Sequence, residues 1–195
     1  MSDRLIKIST IIQPARRAFL QSSGTVLSAS AIALLAGCHS LSAAEKKSDH
    51  STANDVAVLN SALAAEHQGI AAYQVGAESG LLQKPVLNLA VQFQGHHKAH
   101  ADLLAATIKQ LGGSPVAAQS RYDFPVDKLK TQADVLRFAA ELERGAVSAY
   151  LSAVPLFGNR DLAKAAASIL GDEAMHWAIL RQALGEDPVP AAFVG

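Results

Sequence analysis

The chain has a single cysteine, Cys38, among its 195 residues, so no internal disulfide can form. Aromatic residues are scarce, at 5%. Half of the residues are apolar, many of them Ala and Leu, a mixture that favours closely packed helices over sheets. Neither sign of charge is in excess, with 17 basic and 17 acidic side chains. That balance argues against a nucleic-acid partner, which needs a concentrated basic face. The apolar run from about 25 to 36 is about a dozen residues, short of the roughly 20 that a membrane-spanning helix requires. The length suits one domain with a sizeable core, plus an appendage.

That appendage is expected at the N-terminus. Arg4, Lys7, Arg16 and Arg17 precede the apolar run, the order of a secretory signal. Arg16-Arg17-x-Phe19-Leu20 resembles the twin-arginine export motif. Leu35-Ala36-Gly37-Cys38 resembles the lipobox of bacterial lipoproteins, in which the signal is cleaved before the cysteine and the cysteine is acylated. The alternative is a plain signal peptide closed by a free thiol. Several acyl chains, at about 0.8 kcal/mol per buried CH₂, anchor a protein stably. The expected organisation is a signal over 1–37, a flexible lipid-anchored tether over 38–51 and a domain over 52–195. Residues 1–37 hold four of the 17 basic and one of the 17 acidic side chains, which leaves the remainder a net charge of about −3. No polybasic patch adds to the anchor. The expected location is the cell envelope, on a membrane facing the periplasm or the cell exterior.

Apolar residues at Val56, Leu59, Leu63, Ile70 and Tyr73 follow a three-and-four spacing that predicts a helix from 52 to about 79. A second is predicted from 84 to about 111, with Leu87, Val91, Leu103, Leu104 and Ile108 on one side and Gly112-Gly113 at its end. A third starts near Thr131, a suitable N-cap, and runs to about 156. The fourth runs from about 160 to 184, closed by Gly185 and Pro188. The first two and the last two are joined by a few residues each, which forces antiparallel hairpins. About 18 residues separate the second helix from the third. Two short hairpins bridged by one long crossover define the ferritin-like four-helix topology, whereas a simple up-down bundle has three short loops.

The hairpins repeat. Leu59-x-x-Ala62-x-x-x-Glu66 followed by Ala72-Tyr73 is matched at identical offsets by Leu136-x-x-Ala139-x-x-x-Glu143 followed by Ala149-Tyr150. His97-x-x-His100-x-x-x-Leu104 is matched by Glu173-x-x-His176-x-x-x-Leu180. A di-metal site in a bundle core uses one Glu from each of two helices and a Glu-x-x-His from each of the others. Residues three apart lie on one helix face, so both can reach an ion between helices. The metal-ligand candidates are therefore Glu66, His97, His100, Glu143, Glu173 and His176, with His97 standing where a Glu is expected.

These strings, with Gly112-Gly113-x-Pro115-Val116 and Asp172-Glu173-x-x-His176-Trp177, resemble the ferritin-like superfamily, and more closely its exported bacterial branch. The resemblance covers about 52–195. It implies an all-α bundle binding one or two transition-metal ions, Fe or Mn as a di-metal pair with Zn as a further option, and oxidase, peroxidase or metal-sequestering activity. In such sites the Glu of Glu-x-x-His commonly bridges two ions, so His97 removes a negative charge and a bridge. The expected partners are metal ions, the membrane through Cys38, and a second copy of the chain in a homodimer. A closed iron-storing cage is disfavoured, because the acyl chains and tether obstruct a shell.

Each residue also has a plainer reading. The whole site can be degenerate, its side chains only hydrogen-bonding in the core of a non-catalytic, stress-related envelope protein. Glu66 and Glu143 can pair with Arg144 or Lys98. Gln94-x-x-His97 is a rival register for the second helix. His67 and His96 point about 100° from their neighbours and read as surface residues. Tyr73, Tyr150 and Trp177 read as packing, with a partner for each hydroxyl.

Overall fold

The computed structural model describes residues 45–194, with side chains from Ser51 onward. Among the described residues there are four α-helices: α1 (Glu45–Glu78), α2 (Lys84–Gln110), α3 (Gln132–Ala153) and α4 (Arg160–Ala183). Two 3-10 turns, Val126–Lys128 and Val154–Leu156, complete the regular structure, and no strand occurs among the described residues. The first helix begins at Glu45 instead of 52, so the expected tether is helical from that point. Residues 38–44 of it lie outside the described residues, as do Cys38, Arg16 and Arg17. No helix among the described residues is long and apolar enough to cross a membrane.

Local chemistry sets most of the boundaries. Thr131 caps α3 as expected: its hydroxyl accepts from the Asp134 N–H, while Asp134 Oδ2 accepts from the Thr131 N–H at 2.9 Å. This reciprocal pair satisfies donors that a helix start leaves free. Leu111 is followed by Gly112 at φ +78°, and the Gly113 N–H returns to Ile108 O at 2.9 Å. Gly185 at φ +77° closes α4 in the same way, with the Glu186 N–H on Arg181 O. Both ends are Schellman turns, in which a glycine takes the left-handed conformation without steric cost. The third helix gives way to a 3-10 turn at Val154, one residue before Pro155, rather than running on to 156. Proline lacks the N–H that an α-helix needs there.

α1 pairs along its length with α2, and α3 with α4; the two hairpins meet chiefly along α1 and α3. The long crossover, residues 111–131, is strapped to α1. Asn60 Nδ2 donates to Ser114 O at 3.1 Å, Asn60 Oδ1 accepts from the Val116 N–H at 2.7 Å, and His67 Nε2 faces Val116 O at 3.3 Å. The bundle is thus the expected ferritin-like architecture, and its apolar core includes Leu59, Leu63, Phe93, Ile108, Val147 and Ile169. One expected core residue is displaced: Val91 is 55% exposed, while Phe93 is buried. Two residues are about 200° of helix, so the two cannot share a face.

Asp55 is a buried carboxylate on α1 that the sequence did not single out. Its two oxygens accept from the Gly158 N–H at 2.7 Å and the Asn159 N–H at 3.1 Å, fixing the turn into α4. Replacing Asp55 with Ala strands both donors, and charge-assisted bonds of this kind are each worth about 1.5–3 kcal/mol. The expected loss is about 2–4 kcal/mol of unfolding free energy, read as a lower urea midpoint at unchanged slope. A change below about 0.5 kcal/mol contradicts this role for Asp55.

Candidate metal centre

Helical periodicity turns one stripe of each helix inward, and in this bundle each inward stripe carries charged or imidazole groups. Glu66 from α1, His97 from α2, Glu143 from α3, and Glu173 and His176 from α4 are all buried, Glu173 completely at 0% exposure. His100 joins them with 14% of its side chain exposed. The six expected residues therefore converge. They form two overlapping groups, Glu66–His97–His100–Glu173 and His97–Glu143–Glu173–His176, each with donor atoms within 4.8 Å of one another. Glu173 belongs to both groups: its Oε1 lies 3.1 Å from His100 Nδ1, and its Oε2 lies 3.2 Å from His176 Nδ1. His97 also belongs to both, with Nδ1 2.8 Å from Glu66 Oε2 and Nε2 3.4 Å from Glu143 Oε1.

The repeat shows itself in the tyrosines. Tyr73 of the first hairpin donates its hydroxyl to Glu143 of the second, and Tyr150 of the second donates to Glu66 of the first at 2.5 Å. Each hairpin thus positions the other's carboxylate. Burial and the adjacent carboxylate charge push both phenols well above their ordinary range, so they remain donors. The Phe93 ring stacks on His176 at 4.0 Å between centroids and holds that imidazole's orientation.

Burial opposes charge on the imidazoles, but the carboxylates outweigh it. Hydrogen bonds with Glu143 and Glu66 hold His97 up to about 10. Glu173 and Glu66 raise His100 to about 9, and Glu143 and Glu173 raise His176 to about 9. Burial likewise opposes the charge of Glu66, yet His100 and His97 lower its pKa; His176 and His97 do the same for Glu143.

Three buried atoms in this centre make no well-aligned hydrogen bond: Glu143 Oε2, and His100 Nδ1 and Glu173 Oε1, which face each other as an ion pair at 3.1 Å. Orphaned groups of this kind cost about 1–3 kcal/mol each and need an explanation. Carboxylate oxygens and imidazole nitrogens are the donors that divalent first-row metals take, so the residues fit a metal ion. The rival partners lie elsewhere: Arg144 is 3.9 Å from exposed Glu141, and Lys98 donates to Gln94. Gln94 is buried but bonds Ile70 O and Gln74, so the His97-x-x-His100 register is the one that enters the centre. Trp177 packs on the apolar cluster beneath, with Arg181 over its ring at 5.5 Å.

His96 departs from the surface reading. It retains 38% side-chain exposure, yet its Nδ1 is 3.0 Å from Asp172 Oδ2 and 2.9 Å from His176 Nε2. Asp172 stood in the sequence string without a role; its Oδ2 also lies 3.4 Å from His100 Nε2 and 3.3 Å from His176 Nε2. The signal was present in the repeat, because His96 and Asp172 occupy matching positions one residue before His97 and Glu173.

A family model described as a ferritin-like domain matches residues 54–186. Comparison with curated proteins finds no relative. Among solved structures, the chain is similar to a conserved hypothetical protein from Mycobacterium tuberculosis, with 26% identity over 73% of this chain and 99% of that one and a TM-score of 0.64. It is also similar in fold to ferritin-like, diiron-carboxylate proteins from Bacillus anthracis strain Ames, with 22% identity over 69% of this chain and 98% of that one and a TM-score of 0.60. A third similarity in fold is to a dodecameric thioferritin, the bacterioferritin-related protein of Bacteroides fragilis, with 24% identity over 69% of this chain and 86% of that one and a TM-score of 0.60. With the family model spanning most of the described bundle, the chain belongs to the ferritin-like domain family.

Proposed function

We propose that this protein binds two divalent transition-metal ions in the bundle core and does so on the outer side of a membrane. The observation that carries the proposal is the convergence of three carboxylates and three imidazoles into two overlapping groups in the bundle core, with Glu143 Oε2 buried and without a hydrogen-bond partner. The diiron-carboxylate description of the Bacillus anthracis neighbours supports a pair of ions. Glu173, whose two oxygens face His100 and His176, would serve both positions. Glu66 and His100 would complete one position, and Glu143 and His176 the other.

His97 makes the two unequal. A neutral imidazole has one lone pair, so it cannot bridge as a glutamate does. With Nδ1–H donating to Glu66, the Nε2 lone pair faces Glu143, and the position on that side gains a fourth protein donor. Bound iron or manganese would supply redox chemistry toward oxygen or peroxide, whereas zinc would not; the mixed O/N donor set suits all three.

Gly69 supports this use of His97. A Cβ at Gly69 would lie 3.1 Å from His97 Nδ1, a tight contact that requires the ring to give by a few tenths of an ångström. At the matching position α3 carries Ala146, where the repeat partner is Glu173. Gly69→Ala is expected to raise helix stability by up to about 1 kcal/mol. It should also weaken zinc binding about tenfold, since His97 is pushed aside. Competition titration and thermal melts on the same samples check both; equal affinity contradicts the tight fit.

Export and anchoring rest on Arg16-Arg17-x-Phe19-Leu20 and Leu35-Ala36-Gly37-Cys38. A twin-arginine route exports folded proteins and so suits a metal inserted before export. Cys38→Ala should move the protein from the membrane pellet to the soluble fraction.

The deciding experiment is elemental mass spectrometry on protein purified without chelator, and again after Fe(II), Mn(II) or Zn(II) loading. About two equivalents support the pair, and about one supports binding at the Glu143–His97–His176 side alone. A second reading is a metal-free scaffold, favoured by the way the raised imidazoles already compensate the carboxylates. No metal under any loading would establish that reading and end the first.

A further inference from the structure

We infer that His96, Asp172 and His176 form a separate divalent-cation site at the exposed edge between α2 and α4, which captures an ion from solvent before the core takes it. His96 Nδ1, Asp172 Oδ2 and His176 Nε2 make a triangle with edges of 3.0, 2.9 and 3.3 Å. Four donors around a cation at about 2.0–2.1 Å stand about 3.3 Å apart. One edge has that length already, and the other two need an opening of a few tenths of an ångström. His96, with 38% of its side chain exposed, is the member free to give it. The exposed side leaves the fourth position to water.

Hydrogen bonding alone serves this triangle poorly. Asp172 Oδ2 is approached by three ring nitrogens, including His100 Nε2 at 3.4 Å, while His96 and His176 also face each other nitrogen to nitrogen. Each of those two nitrogens is either a donor or an acceptor, so one edge always lacks a good proton. A lone Asp172 would orient His100 and His176 from behind, as carboxylates do for metal-binding imidazoles. An imidazole at the position that matches Asp172 in the repeat changes that orienting contact into a set of three ligands, two of them imidazoles. Such a set suits Zn²⁺, Co²⁺ or Fe²⁺ better than the hard oxygen-loving cations.

His176 links this edge to the core. Its Nε2 faces His96 and Asp172, and its Nδ1 lies 3.2 Å from Glu173 Oε2 and 3.3 Å from Glu143 Oε1. With one lone pair on the neutral ring, His176 ligates on one side at a time. The edge site therefore fills first and empties as the core gains His176. This hand-over rests on metal binding in the core; the edge site itself does not.

The test uses the full chain stripped of metal and Co²⁺ as probe, whose visible absorption reports its ligand field. In a Glu66→Gln/Glu143→Gln background, which weakens the core, one equivalent of Co²⁺ should still bind. Adding His96→Ala should lower its affinity at least about tenfold. Identical isotherms with and without His96 overturn the site. Should the double variant lose its helix content, loading kinetics decide instead: His96→Ala alone should slow Co²⁺ uptake about tenfold relative to the unsubstituted chain, and an unchanged rate overturns the proposal. A chain whose single bound equivalent vanishes with His96→Ala supports the edge site and removes the core reading, so the two fail separately.

Discussion

Glu173→Ala is expected to remove metal from both core positions at once while the helices persist, leaving at most the one equivalent that the His96–Asp172–His176 edge can hold. No other single carboxylate should do this. Glu173 alone presents one oxygen to His100 and the other to His176, at 3.1 and 3.2 Å. Glu66→Ala should cost one equivalent, because Glu143, His97, Glu173 and His176 remain as a group of four. Glu143→Ala should cost the stronger equivalent, leaving the position at Glu66 and His100. Helix content should change little, since the four helices retain their apolar faces and caps. Stability without metal should nonetheless fall by several kcal/mol for Glu173→Ala, as two raised imidazoles lose a buried carboxylate partner. Elemental analysis and circular dichroism on the three variants test the ordering. Unchanged stoichiometry in both Glu143→Ala and Glu173→Ala would falsify the assignment of the core.

The second large effect is on pH, and it has opposite signs with and without metal. His97 sits near 10 and His100 and His176 near 9 in the folded chain, against an ordinary value of 6.5. Their folded pKa values are raised, so their contribution to stability is fully present below pH 6.5 and is lost as pH climbs through 9 to 10. The metal-stripped protein should therefore melt at progressively lower temperature across that window. Metal must displace the same protons, so its apparent affinity should rise about tenfold per pH unit for each imidazole it deprotonates. An ion taking His97 and His176 should gain about a hundredfold per unit until pH approaches 9. On the acid side, Glu66 and Glu143 are lowered from their ordinary 4.5. Their contribution is present above that value and is lost only as pH falls through the lower folded values. Melting curves with zinc and with a chelator from pH 6 to 10 should diverge as pH rises. Curves that stay parallel contradict the picture of imidazoles held protonated by the carboxylates.

Much of this was legible in the sequence because helices advertise themselves locally. A three-and-four apolar spacing, an N-cap at Thr131 and glycines at 112 and 185 depend only on nearby residues. Loop lengths then restrict how four helices can connect, and the long segment before Thr131 selects one arrangement. The repeat was equally legible: identical offsets around Glu66 and Glu143 demand that equivalent faces meet, and the six side chains named from it do converge in the bundle core.

Periodicity, however, fixes which residues share a face of one helix, not which neighbour lies against that face or how the helices are rotated. Val91 had the right spacing from Leu87 but fell on the outer side, because Phe93 sets the inward direction of α2. His96 was placed on the surface by its angle from His97, and in angle that is correct. Only the packing of α4 against that flank, bringing Asp172 and the back of His176 within 3.0 Å, gave it partners. Asp55 holds a turn about a hundred residues away, which nothing near it in the chain announces. The sequence by itself determined the helices, their order of connection and the chemistry carried on their inward stripes, since these follow from local spacing and loop reach. The tertiary structure alone decided the shared position of Glu173, the crossed tyrosines, the fit of His97 beside Gly69 and the edge site at His96, since each depends on the distance and rotation between helices.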